Sequence, residues 1–123
     1  MSDIKIYSFD KCPFAQRTRM ALIEKKLDFE LIEIDVYNKP DWFLEISPYG
    51  KVPVLVHEER TIYESAIINE YLEEKYPEVA LMPEDHYEKA RARIWIDYAS
   101  NYYLPACARL IRDHQDDDLQ QQN

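Results

Sequence analysis

Over its first 77 residues the chain switches its apolar pattern between a period of two and a period of about 3.6, so its faces can be buried only as helices layered on a sheet. Ile4 to Tyr7 alternates as a short strand, and Asp10 to Pro13 breaks it. Phe14, Thr18, Ala21 and Leu22 then recur at helical spacing, with Pro13 at the first helical position, where its missing N–H costs nothing. Phe29 to Ile34 alternates apolar and acidic residues as a half-buried strand, and Asn38-Lys39-Pro40 ends it in a loop. One or two helical turns are expected over Asp41 to Ile46, capped by Asp41 and stopped by Ser47-Pro48. Val52 to Val56 and Thr61 to Tyr63 read as a hairpin across the polar turn Glu58-Glu59-Arg60. Ser65 opens a further helix with Ile67, Ile68, Tyr71 and Leu72 on one face, and Pro77 closes it.

The resulting order, βαβαββα, has two parallel strands joined by a crossover helix, then a hairpin and a covering helix. It matches an α/β, thioredoxin-like layer over residues 1–77. Residues 78–86 read as a linker, with prolines, acidic residues and no sustained period. Residues 87–113 are rich in helix formers and place Ala90, Ile94, Tyr98 and Tyr102 on one side, with Pro105 expected to kink or break the run. Such a helix cannot bury that side alone; its partner could be further helices, the face of the α/β layer, or the same helix of a second subunit. Residues 114–123, with three aspartates and little apolar content, are expected to form a disordered tail.

Composition narrows the functions. Fifteen lysines and arginines stand against 24 acidic residues, a formal net charge of −9 that repels a phosphate backbone, so direct nucleic-acid binding is not expected. No basic region leads into an apolar run and no stretch is apolar enough to span a membrane; a cytoplasmic protein is expected. The single glycine, Gly50, leaves no phosphate-cradling loop. Two cysteines, Cys12 and Cys107, suit a reducing compartment and supply no metal-ligand pattern.

The chemistry centres on Lys11-Cys12-Pro13-Phe14-Ala15. A cysteine just ahead of a helix meets unpaired backbone N–H groups and the positive end of the dipole, both of which favour thiolate over thiol. The opposing reading is a small buried hydrophobe. A dithiol oxidoreductase would carry a second cysteine where this chain has Ala15, so Cys12 must act as a monothiol resolved by an external thiol. Cys107, across the linker, reads as structural or incidental.

Four blocks in register resemble the cytosolic glutathione transferases, omega-like and of the cysteine type: Cys12 to Arg19, Asn38 to Phe43, Pro48 to Leu55, and Tyr63 to Ile67. The similarity runs from residue 4 to about residue 113, covering the N-terminal domain and the first helix of the C-terminal domain, which implies that residues 87–113 are a truncated all-α segment. It implies Cys12 as the catalytic residue and a glutathione site formed by Phe14, Lys39, Val52, Pro53, Glu64 and Ser65. In that family the proline matching Pro53 is cis, turning the backbone of the preceding residue, here Val52, toward the cysteinyl part of glutathione as an added strand. Glu64 and Ser65 match the γ-glutamyl site, where a helix N-terminus and a hydroxyl suit a carboxylate. Lys39 matches the contact to the glycyl carboxylate. Taken singly, Ser65 reads as an N-cap, Glu64 and Lys39 as exposed charges, and Phe14 as core. Tyr7 and Ser8 occupy the place of the hydroxyl in tyrosine- and serine-type relatives, but Tyr7 is expected to be a strand residue.

The resemblance implies thiol transfer and dehydroascorbate-type reduction through a mixed disulfide on Cys12, with weak conjugation to electrophiles, glutathione as co-substrate, no metal, and a homodimer. The second substrate would be small and oxidised or electrophilic. Most of its pocket belongs to the helical domain of relatives, of which this sequence holds only the beginning. Two other readings compete. A noncatalytic regulator resembling stringent starvation protein A, which binds RNA polymerase, would account for the acidic balance but not for Cys12 with Lys39. A glutaredoxin-like monothiol protein holding an iron–sulfur cluster fits poorly with the long helix after Pro77.

Overall fold

The computed structural model describes the backbone of residues 3–121 and the side chains of residues 3–114. Its elements run β1 (Ile4–Ser8), α1 (Pro13–Glu24), β2 (Glu30–Glu33), α2 (Asp41–Ile46), β3 (Val54–His57), β4 (Arg60–Tyr63) and α3 (Ser65–Lys75), then α4 (His86–Tyr98), a π-helical turn (Ala99–Tyr103) and α5 (Leu104–Gln121). The four strands form one sheet in the order β2-β1-β3-β4. β1 pairs parallel with β2, Ile6 opposite Leu31, and antiparallel with β3, Ile6 opposite Leu55. This is the mixed α/β, thioredoxin-like arrangement expected from the order of periods.

Alternation along the central strands splits the core between two faces. On one, Ile4, Ile6 and Leu55 pack against Ala21 and Leu22 of α1 and Ile68 and Leu72 of α3. On the other, Tyr7, Ile34 and Val54 pack against Phe43 of α2, which is fully buried. Burying a side chain such as Leu22 or Phe43 contributes about 1.5–3 kcal/mol. Tyr7 lies within this second cluster against the rings of Trp42 and Phe43, so it is a strand residue whose ring is committed to packing.

Several local expectations are corrected. Pro40, not Asp41, is the N-cap residue of α2, and Asp41 is its first helical residue, where its charge still suits the dipole. Ala15 rather than Phe14 is buried on α1, and on α3 Ser65, Ile68 and Leu72 point inward while Ile67 is exposed, because adjacent helical residues lie about 100° apart. The hairpin turn is tighter than the three residues read from sequence: His57 pairs with Arg60, leaving Glu58 and Glu59 alone at the bend with φ of 54° and 65°.

Past α3 the chain is fastened by a buried lysine. Lys25, its side chain 1% exposed, donates to the carbonyls of Tyr76 and Val79 at 2.8 Å each and meets Glu73 at 2.8 Å. Glu73 in turn accepts the amides of Leu81 and Met82. The helical run then changes pitch before Pro105. Proline cannot donate to the carbonyl four residues back and its ring crowds that carbonyl, and the widened turn over Ala99–Tyr103 accommodates it without ending the run. α5 continues to Gln121 through the stretch expected to be disordered; residues 122 and 123 lie outside the described residues. No helix among the described residues is long and apolar enough to cross a membrane.

A candidate functional site at the start of the first helix

Cys12 is the N-cap residue of α1, with extended backbone, and Pro13 follows as the first helical residue. Its sulfur accepts the Ala15 amide at 3.4 Å, taking one of the donors that a helix N-terminus leaves unpaired. The same Sγ lies 3.9 Å from the Val52 carbonyl, to which the thiol donates. Cys12 therefore sits between a helix start and the backbone ahead of β3.

Both of those supports are themselves braced. Arg19 donates to the Ser8 hydroxyl and to the carbonyls of Phe9 and Asp10, and Glu33 accepts the Asp10 amide at 2.7 Å, so the β1–α1 loop is tied to its own helix and to β2. On the other side, the buried Ser47 hydroxyl donates to the Lys51 carbonyl and accepts the Lys51 amide, closing the loop that delivers Val52. The Val52–Pro53 peptide bond is cis. Gly50, at φ +66°, occupies the left-handed region in that loop, and a Cβ there would come within 3.1 Å of the Lys39 ammonium and 3.2 Å of Leu44.

A cleft of about 380 Å³ opens over Cys12. All seven residues singled out in the sequence, namely Cys12, Phe14, Lys39, Val52, Pro53, Glu64 and Ser65, line it. They come from the start of α1, the loop before α2, the loop before β3 and the start of α3. Glu64 is the N-cap residue of α3 with φ 74° and ψ 112°, a region that non-glycine residues rarely occupy, and its carbonyl accepts the Ile68 amide. Ser65 is the first residue of α3 rather than its cap, and its hydroxyl accepts from Arg17 Nε at 2.8 Å. Phe14 is half-buried with its ring under the Arg17 guanidinium, 5.7 Å from the centroid.

Burial pushes the Arg17 pKa below its ordinary value, and the nearby Glu64 carboxylate opposes that. The cleft carries Lys11, Lys39, Lys51 and Arg112 against the one carboxylate of Glu64. In a chain of net charge −9 this is a local excess of positive charge, and it favours a ligand bearing carboxylates.

Sequence reasoning did not find the wall contributed by Ala108, Ile111 and Arg112 of α5, nor Tyr49 and Tyr63 at the rim, whose rings meet edge to face. The helical spacing of 104, 108 and 111 was the available signal, but it names a face without saying what it faces. Cys107 is a free thiol on α5 and does not line the cleft.

This geometry, a cysteine at a helix start facing a cis-proline loop, is found together with a direct family match. Residues 6–80 match the family model described as glutathione S-transferase, N-terminal domain, and the chain belongs to the glutathione S-transferase family. Within it the chain resembles the omega class. It is 43% identical over 116 residues to glutathione S-transferase omega-1 of Mus musculus, covering 94% of this chain and 48% of that protein. Glutathione transferase Omega 3C of Trametes versicolor superposes with a TM-score of 0.79 at 33% identity, over 90% of this chain and 51% of the other. Rice GST1, solved in complex with glutathione, superposes with a TM-score of 0.75 at 38% identity, over 80% of this chain and 46% of the other. The chain thus spans about half the length of these relatives.

Proposed function

We propose that this chain binds glutathione in the Cys12 cleft and transfers thiols through a mixed disulfide on Cys12. What supports the reading is one observation above the others: Cys12 shares a single cleft with a cis-proline backbone edge, a helix N-terminus bearing Ser65, and Lys39. The cysteinyl part of glutathione would pair with the Val52 backbone as an added strand, bringing its sulfur beside Cys12 Sγ. Its γ-glutamyl carboxylate would meet the Ser65 hydroxyl and the α3 N-terminus, its ammonium group Glu64, and its glycyl carboxylate Lys39. Phe14 would flank the tripeptide.

In the reaction, the Cys12 thiolate attacks the glutathione sulfur of a mixed disulfide. The old S–S bond breaks, the acceptor leaves as a thiolate that takes up a proton, and glutathione remains on Cys12. A second glutathione thiolate attacks the Cys12-bound sulfur, releasing glutathione disulfide and regenerating Cys12. Dehydroascorbate-type reduction and weak conjugation would use the same bound glutathione. The wall of Ala108, Ile111 and Arg112 would face the second substrate. A free Cys12 and Cys107 suit a cytoplasmic setting.

Retention on immobilised glutathione, followed by mass spectrometry after exposure to glutathione disulfide, tests the proposal. A single glutathionyl adduct on Cys12 that glutathione then removes is the expected result. Retention without an adduct would leave binding and overturn the mixed-disulfide mechanism; no retention would overturn both.

A further inference from the structure

Arg17 is a charged side chain that joins Ser65, in the cleft wall, to the helices beyond residue 86. Its Nε donates to Ser65 Oγ at 2.8 Å, its Nη2 donates to Ser100 Oγ in the π-helical turn at 2.8 Å, and its guanidinium caps the Phe14 ring. Its backbone carbonyl also receives the Asn69 side-chain amide at 3.5 Å. Arg17 does not line the Cys12 cleft. It lines a separate cavity of about 330 Å³ bounded by α3, the linker and α4, and so stands behind the cleft wall.

We infer that Arg17 is a positioning residue for ligand binding at Ser65, and that Ser100 holds it in place from the helical segment. The inference rests on the proposed glutathione reading of the cleft. A hydroxyl has one proton and two lone pairs, and when Arg17 donates to the oxygen, the proton of Ser65 is left to be donated elsewhere. Ser65 is 3% exposed, and the cleft is the side it opens to. A carboxylate placed there would receive a Ser65 O–H whose oxygen is already polarised by a cation, within a chain of donors in which each bond strengthens the next. With two planar N–H groups satisfied by two hydroxyls on different elements, the guanidinium has a fixed direction that an ammonium could not supply. The π-helical turn has a role in this: it sets where Ser100 falls relative to α1.

A double-mutant cycle on glutathione binding, measured by titration calorimetry, tests the assignment. Arg17→Gln should raise the glutathione Kd about tenfold, as expected for losing a hydrogen bond from a charged group. Ser65→Ala should do the same, and the double variant should be no weaker than the worse single variant, because both act through one hydroxyl. Arg17→Lys should recover only part of the loss. Ser100→Ala should weaken binding about threefold in the native background and leave it unchanged in the Ser65→Ala background. This second cycle carries the test if Arg17→Gln fails to fold by circular dichroism. Effects of Arg17→Gln and Ser65→Ala that multiply, or binding by either Arg17→Gln or Ser100→Ala equal to that of the native chain, would overturn the inference while leaving the glutathione reading intact. A native chain that does not bind glutathione would overturn both.

Discussion

Cys12 Sγ and the Val52 carbonyl oxygen lie 3.9 Å apart although 40 residues separate them in the chain. The contact joins the start of α1 to the cis-proline loop, so the thiol is held at the same backbone edge that a bound cysteinyl residue would pair with. Cys12→Ser should preserve the fold, because serine is a strong N-cap and can accept the Ala15 amide as the sulfur does. Thiol transfer should fall at least about 100-fold, since a hydroxyl lacks the nucleophilicity of a thiolate at neutral pH. A disulfide-exchange assay alongside a glutathione titration checks both halves, with Kd expected to stay within a few-fold of the native value.

Gly50 governs the same cleft from the side of Lys39. Gly50→Ala should destabilise the chain by roughly 1–2 kcal/mol, the cost of a side chain in the left-handed region. It should also weaken glutathione binding, because the new Cβ would lie 3.1 Å from the Lys39 ammonium and must displace it. Urea denaturation and titration calorimetry read the two effects separately.

Burial pushes the Glu73 carboxyl upward, but the hydrogen bonds it accepts from Lys25 and from the Leu81 and Met82 amides, with the Lys25 charge, outweigh this and leave its pKa below the usual value. A carboxyl whose folded pKa is depressed stabilises the fold fully above its unfolded value, about 4.3, and that increment is lost as the pH falls through the folded value. Glu73→Gln should therefore cost about 1.5–3 kcal/mol at neutral pH. Melting curves of the native and variant chains should converge as the pH is lowered below about 4. A gap that stays constant across the acid range would show that the carboxylate charge is not what holds the linker.

The hairpin bend carries Glu58 and Glu59, both in the left-handed region that glutamate disfavours and that Asn-Gly enters readily. Replacing the pair by Asn-Gly should raise stability by about 1 kcal/mol. The melting temperature is the measurement, and glutathione affinity should not change, because the bend lies at the opposite end of β3 from Val52.

The parts of this molecule that were legible in its sequence are those in which one residue type answers a local demand. Pro13 and Cys12 mark a helix start, the alternation of Ile4 and Ile6 marks a strand with one covered face, and the four blocks in register marked the family and with it the residues that line the cleft. What was not legible depends on partners distant in the chain. Arg17 and Arg19 look alike in sequence, two residues apart on one helix, yet one reaches Ser65 and Ser100 and the other fastens the β1–α1 loop. Lys25 is buried because Glu73 of α3 and two carbonyls just past that helix come to it, from about 50 residues further along the chain. The turn at Glu58-Glu59 was placed too wide because neither residue carries the usual turn signature. The change of helical pitch before Pro105 was expected only as a kink or break, since a proline states that the ladder must yield without stating how.

The sheet order β2-β1-β3-β4 puts β1, the first of the sheet's four strands to be made, in an inner position. During synthesis β1 can find β2 once Glu33 has left the ribosome, but its other edge, from Ile4 to Tyr7, stays open until His57 arrives. Throughout that interval the nascent chain presents an unpaired apolar strand edge, which is open to pairing with another chain until β3 closes it.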